Sequence, residues 1–321
     1  MTIAEVPVEV KLEDCSCPLG CALNDERVLV GRDRLHGLPG EFIVVRCQGC
    51  GLMRTNPRPT PETIGFYYPQ DYGPYVNTTV LPGEISRTQA LKDWVREMLR
   101  IDQIALPSLP PGRMLEVGCA SGSFLHLMAR RGWQVQGIEF SESAANRSRE
   151  LGYNVFGGPL ETAPAPAELV DLVVGWMVLE HLHNPAKALR RLHCWTRPGG
   201  WLVLSVPNAG SRQFTLFRNA WFPLHLPNHL YHFTTRSLAN VLEAGHWRIE
   251  QILYQRDVSH LIASVGYMLQ DTKRFPRLAD KIARFPDWQG KLLLPLYPLS
   301  ALLALLRQAS AITVWARRKD D

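Results

Sequence analysis

The stretch Met114–Gly132, MLEVGCASGSFLHLMARRG, constrains the fold more than any other part of the chain. An apolar run of strand length ends in a turn of small residues, and a helical pattern follows at once. A strand that passes directly into a helix is half of a crossover unit, which must return to a parallel neighbouring strand. The pattern then repeats. RMLEVGC predicts a strand, SFLHLMARRG a helix, WQVQGIEF a strand, SESAANRSRELG a helix capped by Ser141, and YNVFGG a short strand. ELVDLVVGWMVL is almost continuously apolar, as a strand covered on both faces requires. NPAKALRRLHCWTRPGG predicts a helix opened by proline and closed by glycine. WLVLSVPN, SLANVLEAGHW and RIEQILYQ continue as strand, helix and strand, and AITVWARR is a last strand beyond a long apolar insertion. The expected fold is α/β, a Rossmann-like, doubly wound, mostly parallel sheet of seven strands.

The rest of the 321 residues divides around this core. Residues 1–57 hold most of the cysteines and read as a zinc-ribbon-like unit. Residues 58–112 form a Pro/Tyr-rich connector and a helix, predicted over Ser86–Ile104 with Leu91, Trp94, Val95, Met98 and Leu99 on one face. Residues 113–321 form the core, with an apolar helical insertion at 258–310. Its run Leu292–Leu306, LLLPLYPLSALLALL, is too short to span a bilayer. Pro295 and Pro298 predict that a regular helix begins only at Ser300. The first residues show neither a basic nor an apolar leader region, so the expected location is cytoplasmic. The apolar run, with Arg307, Arg317, Arg318 and Lys319 after it, adds peripheral contact at the inner face of the membrane, or a homodimer interface, as expectations.

Charge argues against one class of partner. The net charge is only +5. In residues 1–57 the six bases Lys11, Arg27, Arg32, Arg34, Arg46 and Arg54 face eight acids, so no nucleic-acid partner is expected of this unit.

Cysteines Cys17 and Cys21, then Cys47 and Cys50, form two pairs joined by a predicted hairpin. The second pair is a CxxCG knuckle, whose glycine lets backbone amides approach sulfur. Two such pairs make a tetrahedral Zn–S4 site, expected to be structural. Three residues separate Cys17 from Cys21, and Cys15 competes with Cys17 for its place. Cys119 and Cys194 lie in the core pattern, where packing explains them.

The glycine turn decides between cofactors. A dinucleotide fingerprint needs glycines at 118, 120 and 123, and the chain has Gly118, Ala120 and Ser123 there. Glu116 precedes Gly118, and Gly122 follows. This resembles the ExGxGxG turn of class I S-adenosylmethionine-dependent methyltransferases, with Ala120 at the middle glycine. Such a cofactor lays an amino-acid end and a ribose against bare backbone. Glu139, ending the next strand, would accept the ribose hydroxyls. The run DLVVGWMVLEHLHNP, then LRRLHCWTRPGGWLVLSVPN, is similar to the family's fourth strand, E-H-L turn and R-P-G-G turn. The acid that many relatives carry after strand three is absent; GGPLE leaves adenine to Glu161 or to main chain. The resemblance implies Glu116, Gly118, Cys119, Ala120, Gly122, Glu139, Phe140 and Met177 as cofactor-binding residues.

CxxCGL, NPRPTPE and FYYPQDYGPY ahead of such a core resemble bacterial methyltransferases that act on sugars and on cell-surface polysaccharide precursors. In these, the aromatic connector closes over the cofactor, which adds Tyr68 and Tyr72. The implied reaction is O-methylation of a sugar hydroxyl, on a small-molecule or lipid-linked acceptor. Sugar C-methylation and rRNA methylation are the alternatives. A hydroxyl is a poor nucleophile, so a positioned base is expected. Histidines after strand four (Glu180-His181) and in WFPLHLPNHLYHFT (His225, His229, His232) supply candidates, and His181 and His229 are the assigned pair. Some quinone-precursor methyltransferases bind magnesium near an E-H pair, which makes a cation there a further alternative.

Overall fold

The computed structural model describes residues 6–22, 24–69, 105–288 and 293–319. Thirteen strands are found among them: β1 Leu12–Glu13, β2 Asp25–Arg32, β3 Glu41–Cys47, β4 Met53–Thr55, β5 Arg58–Pro59, β6 Arg113–Val117, β7 Gln134–Glu139, β8 Asn154–Gly157, β9 Val170–Trp176, β10 Thr196–Pro207, β11 Tyr231–His232, β12 Trp247–Tyr254 and β13 Ala311–Arg318. The helices are α1 Ser123–Arg130, α2 Glu142–Glu150, α3 Pro185–Trp195, α4 Arg212–Phe217, α5 Thr235–Ala244, α6 Ser259–Thr272, α7 Pro276–Ala283, α8 Phe285–Trp288 and α9 Leu293–Leu305.

The main sheet has seven strands in the order β12-β13-β10-β9-β6-β7-β8. Neighbours from β8 to β10 run parallel, and β13 lies antiparallel between β10 and β12. This is the expected mostly parallel sheet. Its strands are apolar on both sides for a visible reason. Met114, Leu172, Val174 and Val203 pack in one core layer, while their neighbours Leu115, Val173, Leu202 and Leu204 pack in the other. Alternate residues of a strand point to opposite faces, so helices must cover both.

The order reverses between β6 and β9, where β6 leads out to β7 and β9 leads out to β10. Ligands of such sheets bind at the carboxyl ends of the strands beside that switch. The turns after β6, β7 and β9 therefore border the place where such a sheet holds its ligand.

Two local expectations are corrected. Helix α3 was expected to run to the glycine pair, but it ends at Trp195 and β10 begins at Thr196. Thr196 pairs with Val170 and Trp201 with Leu172, so Arg197–Gly200 bulge from the ladder. Pro198 has no amide proton for a ladder, and Gly199 takes a left-handed turn at φ 67°. The second correction concerns α9, which begins at Leu293 and contains both prolines rather than starting at Ser300. Pro298 lies inside the described helix and removes one intrahelical bond, which the rest of the helix tolerates. The helix expected over Ser86–Ile104 lies outside the described residues.

The N-terminal strands make a second sheet, in the order β11-β4-β3-β2. The β2–β3 hairpin is closed by Asp33, whose carboxylate accepts the amides of Leu35, His36 and Leu38. Strand β11 comes from the far side of the chain. Tyr231 pairs with Arg54 and His232 with Met53, so the histidine segment after β10 is the edge strand of the cysteine-bearing sheet.

Candidate functional site

The chain leaves β6 through a tight turn. Gly118, Ala120 and Gly122 have φ of 73°, 47° and 82°. A Cβ on Gly118 would stand 2.5 Å from Val178 Cγ2, and one on Gly122 would stand 2.7 Å from Ser148 Oγ. Only glycine fits those two places. Ala120 bears a left-handed conformation that costs an L-residue about 1–2 kcal/mol, and two contacts hold it there. Its amide donates to Glu139 Oε2 at 2.8 Å, and its carbonyl accepts from Ser148 Oγ at 3.0 Å.

Glu139, the last residue of β7, also accepts the Ser141 amide at 2.8 Å on its other oxygen. Its carboxylate thus ties the first turn to the second, a role the sequence did not suggest. Each oxygen keeps a further lone pair for a ligand hydroxyl. Glu116 is buried, with Oε2 lacking any partner among the described residues. Burial, and then the nearby Glu139 charge, push its carboxyl well above the usual range. Burial also raises Glu139, against the opposing pull of its amide donors.

The third turn follows β9. Met177 is left-handed at φ 53°, and its amide donates to Ser205 O at 2.9 Å. A short turn of Leu179–His181 comes next. Glu180 is fully buried, and neither carboxyl oxygen has a partner among the described residues. Burial pushes its pKa up to about 8. His181 Nδ1 lies 2.7 Å from the Tyr68 hydroxyl and 3.0 Å from Asn228 O. The carbonyl can only accept, so a proton on Nδ1 satisfies both contacts and leaves Nε2 bare. Burial holds this imidazole down to about 4, against the pull of the Asn228 carbonyl.

His229 repeats the arrangement. Its Nδ1 donates to Pro223 O at 2.8 Å, which leaves Nε2 without a proton. Burial, then the neighbouring His181, keep it far below the usual histidine range. The His181 and His229 rings meet edge to face at 4.6 Å. A carboxyl oxygen of Glu180 and one ring nitrogen of each histidine lie within 4.8 Å of one another. His225 stands behind them, 4.8 Å from the His229 ring, and His232 lies 3.4 Å from Thr55 Oγ1.

Tyr68 links the two halves. Its ring sits 6.1 Å from Phe140, just after Glu139, and 6.0 Å from His181. The structure therefore brings Glu116, Gly118, Cys119, Ala120, Gly122, Glu139 and Phe140 together at the first two turns, and Tyr68 connects Phe140 with His181, whose ring meets His229. Met177 stands at the third turn. Tyr72 lies outside the described residues.

Two residues that sequence reasoning missed hold the histidine segment. Thr55 Oγ1 donates to His229 O at 2.8 Å, and the Thr55 amide donates to Leu230 O at 2.9 Å. Asn228 Nδ2 donates to Tyr67 O at 2.7 Å. The Leu230 amide donates to Glu180 O at 2.8 Å. These contacts join positions 50 to 175 residues apart, and no local motif announces them.

The cysteines converge as a second candidate centre. One Sγ each from Cys17, Cys21, Cys47 and Cys50 lies within 4.8 Å of all the others. The Cys17 and Cys50 sulfurs are 3.5 Å apart, too far for a disulfide. Cys47 is lowered despite burial because the amides of Cys50 and Gly49 point at its sulfur. Cys15 is turned away, with both its amide and its thiol on Asn56 Oδ1. The donor set fits a tetrahedral ion and selects Cys17 over Cys15.

A mostly parallel seven-stranded sheet with small-residue turns at its switch point defines a Rossmann-like methyltransferase fold. The chain belongs to the methyltransferase-domain family, whose profile matches residues 86–252. Among curated proteins it is 30% identical over 142 residues to a "Probable S-adenosylmethionine-dependent methyltransferase" of Mycolicibacterium smegmatis, covering 44% of this chain and 53% of that one. It is 26% identical over 189 residues to a ubiquinone biosynthesis O-methyltransferase of Stutzerimonas stutzeri, covering 52% of this chain and 80% of that one. The chain thus spans about half the length of the first of these relatives. Among solved structures, an S-adenosylmethionine dependent methyltransferase from Mesorhizobium loti aligns with TM-score 0.43 and 20% identity over 66% of this chain and 94% of that one. No helix among the described residues is long and apolar enough to cross a membrane.

Proposed function

We propose that this protein is an S-adenosylmethionine-dependent methyltransferase that O-methylates a sugar hydroxyl of a cell-surface polysaccharide or other glycoconjugate precursor. One observation carries the proposal. Two histidines with bare Nε2 atoms flank a buried carboxyl, and Tyr68 connects them to Phe140, beside the Glu139 that holds the glycine turn. The turn fits the cofactor on its own evidence: an orphaned Glu116 oxygen and two glycines where no Cβ has room. Gly118, Ala120 and Gly122 would face it with backbone, and Glu139 would accept its ribose hydroxyls. When bound, S-adenosylmethionine supplies a methyl group on a sulfonium, already activated for in-line displacement.

The chain's own residues do the rest. His229, or His181 beside it, accepts the acceptor hydroxyl's proton on Nε2. Burial makes each a weak base. A Glu180 carboxyl that had already released its proton to solvent would stabilise the newly formed imidazolium, since opposite charges favour each other. Asn228 O and Pro223 O hold the two rings in the correct tautomer. Tyr68 aligns the acceptor side with the cofactor side and excludes water. The sugar assignment is supported by the cysteine sheet and aromatic connector that accompany this core. A structural zinc held by Cys17, Cys21, Cys47 and Cys50 belongs to the same proposal.

One observation favours a second reading. The Glu180 carboxyl has no partner among the described residues, and its oxygen with His181 and His229 is also the donor set of a divalent cation, which would bind the acceptor hydroxyl directly. Transfer of labelled methyl from S-adenosylmethionine to a panel of nucleotide-linked and lipid-linked sugars tests the function. Label in a sugar ether supports it. Label in RNA or in a C–C bond would replace it with one of the alternatives, and a requirement for added divalent cation would favour the second reading.

A further inference from the structure

Helix α9 is anchored on one side and bare on the other. Ser300 is buried, Tyr297 meets Arg256, and beyond the helix Gln308 Oε1 accepts the Arg212 amide at 2.7 Å. The opposite stripe, Pro298, Leu299, Leu302, Leu305 and Leu306, is exposed, with Leu305 at 80% and Leu306 at 57%. These positions recur at the three- and four-residue spacing of one helical face. A folded monomer has reason to expose single leucines but not a stripe of them.

The stripe does not end with its own helix. The Gln213 side chain donates to Gln308 O at 3.0 Å, so the end of α9 sits against the first turn of α4. One turn along α4, Leu216 is 70% exposed. Both helices stand at the site edge of the main sheet. Strand β10 finishes at Pro207 and leads into α4, and Pro207 pairs with Ala311, where the chain from α9 enters β13.

Charge says what this surface faces. Arg212 and Arg218 flank Leu216, and Arg307 follows Leu306; all three are exposed. No Asp or Glu occurs anywhere in residues 181–242 or 288–319. Leucines bordered by arginines, in two segments without an acid, complement apolar chains beneath anionic headgroups. A second copy of the chain would bring the same arginines against one another.

We propose that the α9 stripe, Leu216 and Arg212, Arg218 and Arg307 bind the surface of an anionic lipid bilayer. The carboxyl edge of the sheet, with Glu180, His181 and His229, is thereby presented to the membrane. The attachment does not depend on the cofactor or on the acceptor.

The test is co-flotation of the full chain with phosphatidylglycerol/phosphatidylcholine vesicles and with pure phosphatidylcholine vesicles, at low and high salt. The wild-type protein floats with the anionic vesicles at low salt and stays below with the neutral ones or at high salt. The double variant L305E/L306E loses roughly tenfold or more of its partitioning. The pair R212Q/R307Q, which touches no apolar contact, loses about tenfold. Circular dichroism melting shows that both variants remain folded. Wild-type protein that stays below with anionic vesicles overturns the proposal, as does flotation indifferent to both variants. A lipid-free dimer that L305E/L306E splits also overturns it, since a second copy then covers the stripe. S-adenosylmethionine affinity, measured separately, reports on the proposed function and not on this surface.

Discussion

Glu180→Gln should make the protein more stable as the pH rises, and the size of the effect follows from burial. The carboxyl has an ordinary value of 4.5 and is pushed up to about 8. Its folded pKa is raised, so its contribution to stability is fully present below pH 4.5. That contribution is lost as the pH rises through about 8, because the folded protein must either keep a proton that the unfolded chain has released or bury a bare charge. The window is about 3.5 pH units wide, and each unit is worth about 1.4 kcal/mol, so the wild type loses about 5 kcal/mol across it. Glutamine has the same shape and does not titrate. Its unpartnered amide adds a pH-independent cost of about 1–3 kcal/mol, which displaces the difference curve without tilting it. The buried histidines titrate in both proteins and cancel. Urea unfolding of both proteins at a series of pH values from 5 to 8, extrapolated to water, gives the difference directly. The wild type should lose about 1.4 kcal/mol per pH unit relative to the variant. Parallel curves would show that Glu180 is paired or solvated, and the reasoning that makes it a functional group would fail. A variant that gains stability at pH 8 while losing methyl transfer is the signature of a residue kept for function.

The other predictions concern the remaining parts of the site. Glu139→Ala removes the acceptor of two backbone amides as well as the proposed ribose contact, so calorimetry should show S-adenosylmethionine binding at least about tenfold weaker, with no binding of NAD to either protein; unchanged affinity would remove Glu139 from the site. His229→Ala or His181→Ala should lower turnover about 10²–10⁴-fold while cofactor binding is kept, and wild-type rates in both would leave alignment alone to carry the reaction. Elemental analysis should find a single zinc per chain. Because β11 is the edge strand of the cysteine-bearing sheet, chelation should abolish methyl transfer as well as melt that sheet; a chelated protein of full activity would refute the coupling.

Much of the core was legible because its signals are local. Strand β9 reads as buried on both faces from composition alone, and the strand–turn–helix passages around Gly118 and Glu139 follow from residue types next to one another. The cysteine pairs were legible for the same reason, although the choice of Cys17 needed the position of Asn56. The passage out of α3 was misread because a ladder bulge, rather than the helix, uses Gly199. Both prolines of α9 were read as breakers, yet the described helix contains them.

By itself the sequence determined the alternation of strands and helices, the small-residue turn after β6 and the presence of a four-cysteine centre. Each depends on neighbouring residues: periodicity decides which face is apolar, and glycine is needed wherever the backbone turns left-handed. Only the tertiary structure decided what surrounds the histidines. Burial sets their protonation, and burial belongs to the packed chain. His181 acquires Asn228 and Tyr68, His229 acquires Pro223 and Thr55, and the Glu180 carboxyl acquires no partner among the described residues. Those neighbours come from the cysteine-bearing sheet, the connector and the segment after β10. A contact between distant segments forms only when the sheets pair, so no window of sequence contains it.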